Sequence, residues 1–112
     1  MKRLLLVLLL AGCSQGAQSD LQYIKQARSS AAEWAMVNEQ AARGRITDTY
    51  AKTMREEARA EIESASSSLS QPSSAYAREM KDLSAEPDDA APQQLRRRAE
   101  ALKRIEDSLE SA

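Results

Sequence analysis

Few residues in this sequence could do chemistry. It contains 17 acidic residues and one cysteine, but no histidine. Without histidine the chain lacks the usual general base, the commonest metal ligand and the partner of most nucleophilic side chains. A zinc site made of carboxylates alone would be unusual, and no glycine-rich phosphate-binding motif is present. The sequence therefore predicts no catalytic residue, no cofactor and no metal.

The carboxylates form two groups that acid–base chemistry could use. Glu56, Glu57 and Glu61 are close in sequence, and Asp88 and Asp89 are adjacent. Paired carboxylates hydrolyse glycosides when a cleft raises the pKa of one of them. Acidic residues are much more often solvated at the protein surface, so a carboxylate-based hydrolase is kept only as an alternative.

The densest basic run is Arg96-Arg97-Arg98. Such a run could bind anionic lipid head groups or an acidic partner. Acidic residues follow it closely, and Arg96 lies four residues before Glu100, which is the spacing of a helical salt bridge. A salt-bridged helix face is therefore favoured. The net charge of the chain is −1, so it lacks the excess of positive charge that is typical of nucleic-acid-binding proteins. No nucleic-acid partner is therefore expected.

The single cysteine follows an apolar run near the start of the chain. Lys2 and Arg3 precede seven uninterrupted Leu and Val residues, 4–10, and Ala11-Gly12-Cys13 comes next. A basic start, a short apolar run and small residues form the pattern of a secretory signal. The run is too short to span a bilayer, which takes roughly 20 residues.

The segment Leu10-Ala11-Gly12-Cys13 resembles the lipobox of bacterial lipoproteins. The resemblance implies that residues 1–12 are a cleaved signal peptide, that the processing enzymes recognise Leu10, Ala11 and Gly12, and that Cys13 takes the lipid. It covers only about the first thirteen residues. An ordinary secretory signal with an incidental cysteine, or a buried helix, is the alternative.

Ser14 follows the cysteine where some members of this class have Asp. In enterobacterial members, Asp at that position tends to retain the protein in the inner membrane. The resemblance thus implies an envelope protein in the outer membrane, facing the periplasm. Cleavage before Cys13 would remove two of the 16 basic residues and no acidic one, which leaves 100 residues with a net charge of −3.

The remaining chain divides into a short tether and a helical domain. Residues 13–19 comprise the lipidated cysteine and small polar residues typical of a flexible tether. Residues 20–112 are rich in helix-forming residues, contain no Phe, and show apolar positions mostly three and four residues apart. The prediction is an all-α fold, a small up-and-down bundle of three to four helices.

Helix boundaries are marked by caps and breakers. A first helix is expected from about residue 20 to 43, with Ser19 or Asp20 as its cap and Gly44 as its stop. Thr47 or Asp48 can cap a second helix, with an apolar stripe that begins at Tyr50 and with Pro72 preventing continuation. A shorter third helix is expected around residues 76–83, a loop at 85–92, and a last helix with Pro92 in its first turn.

Trp34, Met36 and Val37 are the candidate partner surface. Trp34 lies on the main stripe of the first helix, whereas Met36 points away from it and Val37 lies on its flank. Trp34 is either the packing centre of the bundle or the anchor of a partner groove. The two flanking residues suggest a second buried face, which would contact a partner or a second copy of the chain.

The function expected is that of a small lipid-anchored envelope lipoprotein, a non-catalytic accessory or protein-interaction module. Its partners would be the membrane, through the lipid on Cys13, and an envelope protein. A spacer between membrane and cell wall, like the murein lipoprotein, is a further alternative. That family ends in a lysine joined to the wall, whereas this sequence ends Glu110-Ser111-Ala112 and is interrupted by three prolines.

Overall fold

A computed structural model of the chain describes the backbone of residues 2–112 and the side chains of residues 16–112. Within the described backbone the protein consists of four α-helices and has no β-strand. The helices are α1 (Lys2–Ala42), α2 (Asp48–Ser67), α3 (Ala75–Ser84) and α4 (Pro92–Glu110). The predicted all-α bundle is confirmed, with four helices.

Local signals place the helix ends close to where the sequence predicts them. After α1, Gly44 adopts a φ of 68°, a left-handed conformation that glycine reaches without strain. The hydroxyl oxygen of Thr47 accepts a hydrogen bond from the backbone N–H of Tyr50 at 3.1 Å and so caps α2. The hydroxyl oxygen of Ser74 accepts one from Ala77 at 3.2 Å and caps α3. Pro92 opens α4.

The helices alternate in direction along a common axis. α1 packs against α2 and α4, and α3 packs mainly against α2 and α4. At one end, which we call the Gly16 end, Gly16 contacts Ser70 in the α2–α3 loop, and Gln18 contacts Leu109 near the end of α4. At the other, which we call the Gly44 end, the α1–α2 turn lies with the α3–α4 loop and the start of α4.

The core is narrow and is built from small as well as large side chains. Alanines on α1 and α2 allow the helices to approach closely, and larger residues fill the space between them. The largest apolar side chains that are fully buried are Trp34, Ile24, Ile62, Met80, Leu83, Leu95 and Leu102. Burial of each such side chain contributes about 1.5–3 kcal/mol, so packing holds the bundle together.

The structure corrects the predicted start of the folded part. Residues 16–19, expected as the end of a flexible tether, are helical and continuous with the first predicted helix. Their polar groups have fixed partners: Ser70 Oγ donates to the carbonyl of Gly16 at 2.9 Å, and Gln18 Nε2 donates to the carbonyl of Leu109 at 2.9 Å. These contacts with distant residues hold the segment in the helix.

Tyr50, expected on the buried stripe of α2, is 53% exposed. It lies in the first turn of α2, where it and Ile46 line an open surface concavity instead of the core. Over the described residues, none of the helices combines the length and the apolar character needed to cross a membrane.

Candidate functional site

Cys13 and its recognition residues Leu10, Ala11 and Gly12 lie outside the residues whose side chains the structure describes. Their roles remain predictions from the sequence. The nearest residue that is described in full is Gly16, three positions after Cys13. An attachment at Cys13 would therefore join the bundle at its Gly16 end.

At the Gly16 end, the side chain of Asp20 joins α1 to the α2–α3 loop. Asp20 is fully buried. Its carboxylate accepts hydrogen bonds from the backbone N–H groups of Ser70, at 2.7 Å, and Gln71, at 3.2 Å, and from the hydroxyl of Tyr76, at 2.5 Å. Asp20 therefore binds two loop amides and the first turn of α3 instead of capping its own helix.

The hydrogen bonds keep Asp20 charged despite its burial. Burial by itself would raise the pKa of the Asp20 carboxyl, but donation from Ser70, Tyr76 and Gln71 outweighs it and lowers that pKa below its ordinary value. The same contact acts in the opposite direction on Tyr76. Burial, followed by the hydrogen bond to Asp20, raises the pKa of the Tyr76 hydroxyl to about 12.

A second polar cluster surrounds Trp34 near the Gly44 end. Trp34 Nε1 donates to the backbone carbonyl of Asp88 at 2.9 Å, and Asn38 Nδ2 donates to the same carbonyl at 3.0 Å. The guanidinium of Arg59 lies 5.0 Å from the centre of the Trp34 ring and forms an ion pair of 2.9 Å with the Asp88 carboxylate. It also donates to the carbonyl of Glu86 at 2.5 Å. These contacts hold the α3–α4 loop against α1 and α2.

The three candidate partner residues do not share one surface. Trp34 is fully buried among the helices, so its ring is not available to a partner, and it packs in the core. Met36 is 61% exposed and Val37 is half-buried. Only the outer face of α1 around Met36 is therefore open to contact.

The arginine run is engaged mainly in ion pairs within the bundle. Arg96 pairs with Glu39 on α1 at 2.7 Å, and Arg98 pairs with Glu86 at 2.8 Å. Hydrogen bonds from these two arginines lower the pKa of Glu39 and Glu86 respectively. Arg97 is exposed and lies at the Gly44 end. The run therefore serves helix packing, and the partner of Arg96 is Glu39 and not the predicted Glu100.

The candidate carboxylates give no support to the hydrolase alternative. Glu56, Glu57 and Glu61 are exposed on α2, and Asp88 and Asp89 are exposed in the α3–α4 loop. Over residues 16–112, no three Asp, Glu or Cys side chains are grouped as a metal ion would require.

Two buried acidic residues were not predicted. The sequence suggests Asp20 only as a helix cap, and Glu106 is not among its candidate residues. Glu106 accepts from Arg28 at 2.6 Å and 3.3 Å, and only 5% of its side chain is exposed. Each acid lies four positions from a buried apolar residue on the same helix: Asp20 precedes Ile24 on α1, and Glu106 follows Leu102 on α4. This helical spacing places both acids on the buried side of their helices and could have predicted their burial.

Comparison with protein-family models, with curated proteins and with solved structures finds no match for this chain. The function is therefore argued from the N-terminal motif and from the geometry of the bundle.

Proposed function

We propose that this protein is a small lipoprotein of the bacterial cell envelope, cut before Cys13 and held in the outer membrane by lipid on that cysteine. The observation that carries the proposal is Leu10-Ala11-Gly12-Cys13 directly after a basic start and an apolar run. Lipid attachment also accounts for a single cysteine in an exported protein, which could form no internal disulfide.

Anchoring by lipid is physically sufficient for such a small domain. Each methylene buried in the bilayer contributes about 0.8 kcal/mol, and two acyl chains are enough for stable attachment. The lipoprotein class attaches two or three. Because Gly16 lies at one end of the bundle and is only three residues from Cys13, the anchored domain would stand with its Gly16 end towards the membrane.

The role we propose for the folded part is non-catalytic: an accessory or interaction module for another envelope protein. The buried or half-buried charged residues Asp20, Arg28, Glu106 and Arg98 are used for packing within the bundle. Over residues 16–112, Met36 and Tyr50 are the large apolar side chains that are exposed, and they are available for contact with a partner or a second copy.

The experiment for the anchor is metabolic labelling with a fatty-acid analogue. The wild-type chain should carry the label, and Cys13→Ser should lose it completely while the protein is still made. Ser14→Ala is the matched control, since it changes a neighbouring hydroxyl and keeps the thiol, and it should label fully. Label that persists in Cys13→Ser would refute the proposal.

The experiment for the partner is crosslinking of the lipoprotein in its own envelope, followed by mass spectrometry. A single stoichiometric partner, lost in Met36→Asp but retained in Glu57→Gln, would support the interaction module. No reproducible partner in repeated experiments would count against it.

A further inference from the structure

A surface concavity lies beside the α2–α3 loop, at the Gly16 end of the bundle. Its volume is about 360 Å³. It is lined by serines and by two basic side chains: Ser66, Ser67, Ser73, Ser74, Arg78 and Lys81, with Pro72 and Ala77. The hydroxyl of Ser74 already donates to the carbonyl of Gln71, so the other serines are the ones that can bind a ligand. Hydroxyl donors together with an arginine and a lysine are the groups that bind phosphate oxygens.

The two basic side chains of the concavity are not neutralised within the bundle. Arg78 and Lys81 are exposed, and over residues 16–112 neither has a carboxylate within ion-pair distance. Three other basic residues towards the same end are paired, as Lys25–Glu110, Arg28–Glu106 and Lys103–Asp107, whereas the exposed Arg104 on α4 has no ion pair within residues 16–112. The positive charge at this concavity is therefore free to meet a ligand.

Acidic residues near the concavity do not cancel that charge. Glu79 and Asp82 are on the same helix as Arg78. Their carboxylate oxygens lie 3.7 Å and 3.9 Å from Nη1 of Arg98 on α4, so they form ion pairs with Arg98 instead. Glu63, one turn before Ser66 on α2, does not line the concavity. The lining itself contains no carboxylate.

The concavity is close to the point of lipid attachment. Ser70, in the loop that forms part of its rim, donates through Oγ to the carbonyl of Gly16 at 2.9 Å. Three residues span at most about 10 Å even when fully extended, so Cys13 lies within that distance of Gly16. Lipid head groups around an acylated Cys13 would therefore lie at the end of the bundle where the α2–α3 loop borders the concavity.

We propose that this concavity binds the phosphate group of an anionic phospholipid in the membrane that holds the protein. The lipid on Cys13 supplies the anchor, and Arg78 and Lys81 orient the bundle against the membrane surface. The inference rests on the proposed lipoprotein function, because the anchor is what brings the Gly16 end to the membrane.

The test is vesicle co-sedimentation of the full chain carrying Cys13→Ser, which makes binding independent of acylation. One set of vesicles contains equal parts phosphatidylglycerol and phosphatidylcholine, and the other contains phosphatidylcholine alone. The apolar segment 4–10 contributes to binding in both sets, and Lys2 and Arg3 are present in every variant, so differences between variants report the charges that were removed. The variant is Arg78→Gln/Lys81→Gln.

The matched control is Lys52→Gln/Arg97→Gln, which removes the same charge from two exposed residues near the Gly44 end. Each basic residue near an anionic surface contributes about 1 kcal/mol, so the variant at the concavity should bind phosphatidylglycerol vesicles about 10- to 30-fold more weakly. The control should change binding by less than about twofold, and the preference should fall as salt rises.

Equal losses in the two double variants would overturn the proposal, because binding would then follow net charge alone. So would binding of inorganic phosphate that depends on Arg78 and Lys81 without any preference for phosphatidylglycerol. Failure of the vesicle test while Cys13 still takes the fatty-acid label would leave the lipoprotein proposal standing. Absence of that label would refute the anchor whatever the vesicles show.

Discussion

The hydroxyl of Tyr76 donates a hydrogen bond of 2.5 Å to the buried carboxylate of Asp20, which lies 56 positions earlier in the chain. The same carboxylate binds the backbone N–H groups of Ser70 and Gln71. One ionised side chain on α1 thus fixes the α2–α3 loop, and that loop borders the surface that we propose meets the membrane.

Tyr76→Phe should lower the free energy of unfolding by about 1–3 kcal/mol, because it removes a hydrogen bond to a buried charge. The ring and its packing are kept, and Asp20 retains its two amide donors. Urea denaturation followed by the fluorescence of Trp34, the only tryptophan, measures the change.

Tyr23→Phe is the control for this substitution. Tyr23 is half-buried beside the core, and no hydrogen bond from its hydroxyl is found within the described residues. Its variant should unfold within about 0.5 kcal/mol of wild type, as is usual away from specific contacts. Equal losses in the two variants would mean that the contact with Asp20 does not stabilise the fold.

Stability should depend on pH through Asp20. A carboxyl whose pKa is lowered by folding from its ordinary 3.8 stabilises the protein above that value, and the contribution disappears as pH falls through the lowered pKa. The difference in unfolding free energy between wild type and Asp20→Asn should therefore be largest near neutral pH and shrink below about pH 4. Urea denaturation of both proteins over this range measures it.

Glu57→Gln is the matched control for the pH series, since Glu57 is an exposed acid on α2. Its difference from wild type should stay small throughout. If the difference for Asp20→Asn were constant from neutral to acidic pH, ionised Asp20 would not be the source of the effect.

Arg59 should matter more for stability than the exposed carboxylate with which it pairs. Arg59→Met removes the hydrogen bond to the Glu86 carbonyl and the contact with the Trp34 ring, and should cost about 1–3 kcal/mol. Asp88→Ala removes only an ion pair whose acidic side chain is 68% exposed, and should cost about 0.5 kcal/mol or less. Trp34 still binds the Asp88 backbone carbonyl in that variant. Equal costs would show that the ion pair carries the effect.

Ser14→Asp should shift the lipoprotein from the outer to the inner membrane in an enterobacterial host. The reason is the retention signal of the class that Leu10-Ala11-Gly12-Cys13 resembles. Density-gradient separation of the two membranes measures the distribution, with Ser14→Ala as the control that should remain in the outer membrane. An unchanged distribution in Ser14→Asp would contradict the proposed sorting.

The helices themselves could be predicted because their signals are local. Thr47 and Pro92 act on the adjacent turn, and Gly44 acts through its own backbone angle. The apolar residues of α3 and α4 that are three and four positions apart also face the core, with Met80, Leu83 and Leu102 fully buried. Such features depend on residues within a few positions of each other.

The ion pairs between helices could not be predicted in the same way. Glu100 is a reasonable partner for Arg96 by helical spacing, yet Arg96 binds Glu39, 57 positions away. Pairing of long, flexible side chains depends on how the helices are rotated against each other. Spacing on a single helix does not contain that information.

The sequence by itself determined that the protein is helical, where its helices begin and end after residue 40, and that Cys13 is the residue to test for a lipid. Only the tertiary structure decided that Trp34 is enclosed, that Met36 is open, and that residues 16–19 continue α1. The reason is physical: periodicity and capping act over a few residues, whereas burial and ion pairing depend on the neighbours that packing brings from elsewhere in the chain.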